Sequence, residues 1–210
     1  MTRIVNIGEA LIDEITRPNS EPVEVVGGSM LNVAAGLTRL GHESELATWF
    51  ARDARGDKVR AHAEAAGVTL TPGSDGADFT TVAHANLDER GRATYEFDLS
   101  WDVPAVEDPD SVGHVHTGSY AVVLEPGADK VLAAVKRQAI RGTVSYDPNI
   151  RPALLGTPDE SRPHIEAIVA LSDVVKASDE DLEWLYPGRP VEDVIREWAQ
   201  SGPSLILCTR

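Results

Sequence analysis

Asp13, Asn32, Asn149 and Arg151 are the side chains whose types and positions could do chemistry together. Asp13 follows an apolar run, 3–7, by a few residues, with Gly8 at its end. Asn32 comes four residues after the pair Gly27-Gly28, in the first turn of a predicted helix. In that helix Met30, Val33, Ala34 and Leu37 fall at i, i+3, i+4 and i+7, an apolar stripe that faces a core. At about 100° per residue, Asn32 points roughly 150° away from the centre of the stripe. Ser29 is the expected cap and Gly41 the expected terminator. A carboxamide, a carboxylate and unpaired first-turn amides beside two glycines suit a hydroxyl-rich guest. Asp13 accepts hydrogen bonds, Asn32 both donates and accepts, and glycine lets a ligand approach the backbone. The plain alternative is a surface Asn on an ordinary strand–Gly-Gly–helix turn. Spacing alone leaves both open.

Arg151 closes the run Asp147-Pro148-Asn149-Ile150-Arg151-Pro152. Its planar fork suits phosphate or carboxylate. Pro148 restrains the backbone that aims Asn149 and Arg151. Aspartate here also forms an ordinary turn. A third polar run, Lys176-Ala177-Ser178-Asp179-Glu180-Asp181, again follows a predicted strand. Ser178 caps the next helix, and Asp181 either completes that cap or stands near a hydrated Mg²⁺, which takes few carboxylates.

Other chemistries find no match. There is no Gly-x-x-x-x-Gly-Lys-Ser/Thr loop, no Gly-x-Gly-x-x-Gly after the first strand and no Gly-x-Ser-x-Gly elbow. His114 and His116 share a strand face without a cysteine nearby, which is a poor zinc site. Cys208 is the lone cysteine, so no internal disulfide forms, and it reads as a small core residue. The net charge of −15 argues against nucleic acid, whose recognition needs basic phosphate contacts. No apolar span reaches the ~20 residues of a membrane helix, and the N-terminus has no long apolar signal region. A cytoplasmic protein is expected.

The elements that must position these residues alternate. Strands are predicted at 3–7, 46–50, 68–70, 114–116, 143–146, 173–176 and 205–208. Helices are predicted at 58–66, 125–141 (with Pro126 first, and Val131, Leu132, Val135 and Ile140 inward), 159–171, 179–185 and 191–200. Alternation of this kind gives a parallel sheet covered on both faces, with the polar strand ends, Thr117-Gly118-Ser119 among them, gathered at one edge. Short strands before Gly27 and a hairpin at 79–87 and 92–97 around Asp88-Glu89-Arg90-Gly91 form a separate small sheet. Tyr95 and Phe97 share one of its faces. It lies over the site as a lid or extends the main sheet as a plain edge. Residues 101–111 connect, and no linker divides the chain.

Taken together, the motifs resemble the ribokinase-like (PfkB) sugar kinases. They are Gly8-Glu9-Ala10-Leu11-Ile12-Asp13, Gly27-Gly28-Ser29-Met30-Leu31-Asn32, His116-Thr117-Gly118-Ser119, Asp147-Pro148-Asn149-Ile150-Arg151-Pro152 and Lys176-Ala177-Ser178-Asp179-Glu180-Asp181, in family order across the chain. Asp-Pro-Asn-Ile-Arg-Pro with Gly-Ser resembles the fructokinase and 2-keto-3-deoxygluconate kinase branch. The resemblance implies one three-layer α/β/α sandwich over 1–210 with a small β lid, its strands within 12–26 and 79–98. It implies ATP and Mg²⁺ as cofactors and a sugar hydroxyl as phosphoryl acceptor. Asp13, Gly27, Gly28, Asn32, Tyr95, Phe97 and Arg151 are then the sugar-binding residues. Asn149, Arg151 and Ser178 lie toward the nucleotide and Asp181 toward the metal. A homodimer through the lid sheet is a possible assembly.

Two departures stand out. Asp181 replaces the family's usual, longer Glu. The Asp-Thr-x-Gly-Ala-Gly-Asp motif, which carries the family's catalytic base, does not occur in the 210 residues. By the resemblance, that base lies beyond Arg210, and no catalytic residue is expected within the chain. The chain is therefore expected to be a fragment, a truncated form or a degenerate member, inactive in phosphoryl transfer by itself. A non-catalytic sugar-binding module and a nucleoside kinase of the same fold are the alternatives.

Overall fold

The structure is a computed structural model that describes residues 3–88, 90–106 and 111–210. Glu89 of the predicted hairpin turn, and 107–110 of the predicted connection, lie outside the described residues. Strands β1 (Arg3–Ile7), β4 (Ser44–Ala47), β5 (Thr69–Leu70), β8 (Val112–Gly118), β9 (Thr143–Asp147), β10 (Val174–Ser178) and β11 (Leu205–Thr209) form one sheet. Its order is β11-β10-β9-β8-β1-β4-β5, and every pairing is parallel. Strands β2 (Leu11–Thr16), β3 (Val23–Gly27), β6 (Val82–Leu87) and β7 (Ala93–Asp98) form a second sheet, ordered β3-β2-β6-β7. Its central pair is parallel and its outer pairs are antiparallel, so it is a separate small sheet and not an edge extension.

Period-2 alternation sorts the main sheet's residues into two faces. Val5, Ile7, Val115, Val144, Tyr146, Val175 and Ala177 are buried in one cluster. Against them pack α3 (Gly127–Arg141), α5 (Pro158–Val169), α6 (Asp179–Leu185) and α7 (Val191–Ser201). Leu46, on the other face, joins a second cluster with Met30, Leu31 and Ala34 of α1 (Ser29–Arg39) and Val59 and Ala63 of α2 (Ala54–Ala65). Ile12 and Val82 of the small sheet belong to this cluster too, which ties the lid to the body. The cover on this face is partial: Leu205 and Leu207 of β11 remain about half exposed. No helix among the described residues is long and apolar enough to cross a membrane.

Several predicted boundaries move. Helix α1 buries Met30, Leu31, Ala34 and Ala35, so its apolar face is centred nearer Leu31 than Val33. Gly41 does end it: its N–H bonds Thr38 and that of His42 bonds Leu37, a Schellman closure. The second strand is 44–47 and not 46–50, because Phe50 leaves the sheet for the cluster under α2. Helix α3 starts at Gly127, with Pro126 at the cap. Ile140 of α3 is 85% exposed, against the expectation that it faces inward. It lies nine residues after the fully buried Val131, which at about 100° per residue is the opposite side. The helix predicted at 159–171 is α5, which starts at Pro158 behind a capping box of Thr157 and Glu160 and continues through Pro163. A short helix, α4 (Pro152–Leu155), precedes it.

Candidate functional site

The main sheet and the lid meet at the connection Gly8-Glu9-Ala10, where the chain passes directly from β1 into β2. Ala10 N–H donates to Thr48 Oγ1 and Gly8 N–H to the Ala47 carbonyl, which holds the crossing in place. Gly28 must lie against this crossing. A Cβ on it would stand 2.5 Å from the Glu9 carbonyl oxygen, and its φ of +112° is one that L residues rarely adopt. Gly27 serves a neighbour. A Cβ there would fall 2.0 Å from Asp13 Oδ2, so the missing side chain is the space the carboxylate occupies. Gly27 therefore shapes the site without lining the cavity.

A cavity of about 720 Å³ opens beside these residues. Its walls include Asp13, Gly28 and Asn32 from the lid root and α1, Tyr95 and Phe97 from β7, and Asn149 and Arg151 from the loop after β9. Residues more than a hundred positions apart thus meet at one rim of the sheet, where ligands of open α/β sheets gather. Asn32 is exposed on the helix side away from the core, as its spacing predicts. The Tyr95 and Phe97 rings lie 6.4 Å apart and nearly parallel, on the inner face of the lid. Helix α4, which contacts β7, adds Pro152, Ala153 and Leu154 to the lining.

The electrostatics follow from burial. Desolvation pushes the Asp13 carboxyl above its ordinary value, and the Arg151 charge pulls it partly back. Asp147 is also pushed up by burial, with Lys176 at 3.2 Å opposing and the like charge of Asp181 adding. Asp147 Oδ1 accepts from Asn149 N–H at 3.1 Å, which fixes the turn in which Asn149 has a φ of +39°. Arg151 donates to the Ile150 carbonyl at 3.0 Å.

Other expectations need correction. Ser29 is not a cap: it is the first helical residue after Gly28, and its hydroxyl donates to Glu9 Oε1. Ser178 and Asp181 do not line the cavity. Ser178 Oγ accepts from Asp181 N–H at 3.1 Å, while Asp181 Oδ2 accepts from Ser178 N–H and Oδ1 from Ile150 N–H, each at 2.8 Å. Asp181 is 7% exposed, and both of its oxygens accept main-chain amides, as the capping reading requires. Arg210, the residue after which the family's base is expected, has no part in the cavity either. It follows β11, and its guanidinium pairs with Glu192 of α7 at 2.6 Å, both side chains more than half exposed. Among the described residues no group of three His, Cys, Asp or Glu side chains could hold a metal ion. The cavity also takes in Glu9, Ser29, Ser119 and Asp147, which the motifs contain without a sugar or nucleotide role, and Tyr120. Ser119, at φ +55°, follows the strand-end Gly118, a position that the Thr117-Gly118-Ser119 cluster does signal.

The comparisons with known proteins give the family and the fold. The description "pfkB family carbohydrate kinase" matches residues 1–210. The chain is 29% identical over 220 residues to a fructokinase of Rhizobium leguminosarum bv. trifolii, covering 99% of this chain and 67% of that protein. It is 30% identical over 215 residues to a fructokinase of Klebsiella pneumoniae, covering 97% and 69%. The crystal structure of a fructokinase from Xylella fastidiosa superposes with a TM-score of 0.84 at 25% identity, over 99% of this chain and 70% of that one. The same enzyme with bound ATP gives a TM-score of 0.82 at 24% identity, over 100% of this chain and 68% of that one. The chain thus spans roughly two thirds of these relatives, and it belongs to the pfkB family of carbohydrate kinases.

Proposed function

We propose that the cavity binds fructose and that the chain provides the sugar-binding and lid portion of an ATP-dependent fructokinase. The carrying observation is the convergence of Asp13, Gly28 and Asn32 with the lid aromatics Tyr95 and Phe97 and with Arg151 around one cavity. The names of the relatives support fructose, and the ATP held by the Xylella enzyme supports ATP as donor. Asp13 accepts from sugar hydroxyls and Asn32 bonds a further one. The lid rings cover the apolar side of the sugar and exclude water, which otherwise competes as acceptor. Arg151 and Asn149 lie on the path of the transferred phosphoryl. A bound Mg²⁺ supplies neutralisation of phosphate charge. Direct ligation by Asp181 forms no part of this reading.

Phosphoryl transfer also needs a group that takes the acceptor's proton. The 210 residues hold no Asp-Thr-x-Gly-Ala-Gly-Asp segment. We therefore assign sugar binding to these residues by themselves, and turnover to a chain that also includes such a segment. Titration calorimetry with fructose on the 210-residue chain, and a coupled ADP-release assay on the longer one, test the two halves. Saturable fructose binding and fructose-dependent ADP release are expected. The absence of both rejects the reading. Tighter binding of 2-keto-3-deoxygluconate than of fructose would give the Arg151 fork a substrate carboxylate to hold instead. Stabilisation by sugar with no response to ATP analogues from either chain would make this a binding module. Val23 and Val25 on the lid are about half exposed, which supports a lid-to-lid homodimer that sedimentation can test.

A further inference from the structure

We propose that Glu9 is a sugar-contacting residue: its Oε2 bonds one particular hydroxyl of the guest, on the wall formed by the crossing from β1 to β2. The inference rests on the fructose-site reading above and adds to it a residue that fixes which hydroxyl is recognised.

Glu9 lies at the crossing between main sheet and lid, lines the cavity and is 4% exposed. Its two oxygens differ. Oε1 accepts from Ser29 N–H at 3.1 Å and from the Ser29 hydroxyl. These bonds satisfy the open first turn of α1 and fix the carboxyl plane. Oε2 is buried and has no hydrogen-bond partner among the described residues. A buried carboxyl oxygen left unpaired costs free energy of the order of a lost hydrogen bond. A guest hydroxyl in the cavity supplies the missing partner.

The state of the carboxyl is consistent with this. Burial pushes Glu9 above its ordinary value, more than the Ser29 bonds and the nearby Ser119 hydroxyl pull it down. Both Ser29 donors are on Oε1, which leaves Oε2 to face the guest. The titratable or charged groups that share the cavity with it are Asp13 from β2, Tyr95 from β7, Tyr120 from the turn after β8, and Asp147 and Arg151 from the β9 end. Tyr120 is itself held neutral by burial. The cavity therefore brings two carboxyl groups to one guest, Asp13 opposed to Arg151 and Glu9 tied through Oε1 to Ser29.

The test is a cycle between Glu9 and the guest. Fructose and its monodeoxy analogues are titrated calorimetrically into the wild type, Glu9→Ala and Glu9→Gln. In the wild type one analogue binds about tenfold more weakly than fructose. In Glu9→Ala fructose itself weakens by a similar factor, and that same analogue loses nothing further. Glu9→Gln keeps an oxygen for Ser29. It separates contact from cap: a loss shared by every ligand in Glu9→Ala and absent in Glu9→Gln reports the missing cap and not a contact. Equal losses for every analogue in Glu9→Ala overturn the inference and leave the fructose site standing. No fructose binding by the wild type overturns both.

Discussion

The site is built as much from what is missing at Gly27 and Gly28 as from what is present at Asp13 and Asn32. Asp13 occupies the volume a Gly27 side chain would fill. Asp13→Ala removes a charged acceptor from the cavity, and its fructose affinity is expected to fall about tenfold to a hundredfold by calorimetry, with the fold intact. Gly28 combines a positive φ with a backbone neighbour at 2.5 Å from any added Cβ, whereas Gly41, at φ +86°, has nothing within 4 Å. Gly28→Ala is therefore expected to destabilise by about 3 kcal/mol and Gly41→Ala by about 1 kcal/mol in urea unfolding. Equal costs at the two positions would show that φ alone matters. Asn32 and Arg151 are legible in the sequence because each is a polar residue at a predictable element end, and Asp13 because it follows the first strand closely. Glu9 is legible only as part of a motif. Its partner Ser29 is twenty residues away, and what distinguishes it, a buried oxygen without a partner, exists only after β1, β2 and α1 assemble.

The elements around the site are readable where caps punctuate them and obscure where packing decides. Helix α6 runs over Asp179–Leu185 as predicted, because Ser178 and Asp181 form a capping box. The 46–50 strand is misplaced because an apolar run fits a strand or a loop that plunges into the core, and only Phe50's burial under α2 chooses. The single sheet face that Leu205 and Leu207 share is likewise invisible to periodicity, which reports alternation and not what covers it. The cap also decides the role of Asp181. Ser178→Ala is expected to cost about 1 kcal/mol. Asp181→Ala strands the amides of Ser178 and the buried Ile150, and is expected to cost about 2–3 kcal/mol. If Asp181 is a cap alone, added Mg²⁺ shifts the melting midpoints of wild type and Asp181→Ala equally. A magnesium-dependent stabilisation lost only in Asp181→Ala would return the residue to the metal.

The molecule as a whole closes its site by docking the lid through charges on the side away from the cavity. Arg55 of α2 reaches Glu14 of β2 at 2.7 Å and Glu24 of β3 at 2.8 Å, and Lys58 reaches Glu24 at 2.6 Å. His84 of β6 adds a cross-strand tie, lying 2.8 Å from Glu14 and 3.2 Å from Asp98. Partly exposed pairs are weak singly, so the Arg55 contacts together are worth about 1 kcal/mol at low salt. Their leverage is positional: Glu14 follows Asp13, so a loose β2 also loosens the sugar's acceptor. The Glu14 bond holds His84 above its ordinary value. A group raised in this way contributes its stability in full below the unfolded value of about 6.5, and loses it as pH rises through the folded value. Hydrogen–deuterium exchange read strand by strand checks both terms. The wild-type lid strands β2, β3 and β6 are expected to exchange faster at pH 8 than at pH 6, after correction for the intrinsic rate. In Arg55→Ala they are expected to exchange faster at both pH values, by several-fold in low salt, with the difference closing in 1 M salt where the Debye length is about 3 Å. Strands β9 and β10, which touch neither Arg55 nor His84, are expected to keep their protection. Faster exchange there to the same extent would mean that Arg55 supports the whole fold and does not act as the tie that sets the lid over the cavity.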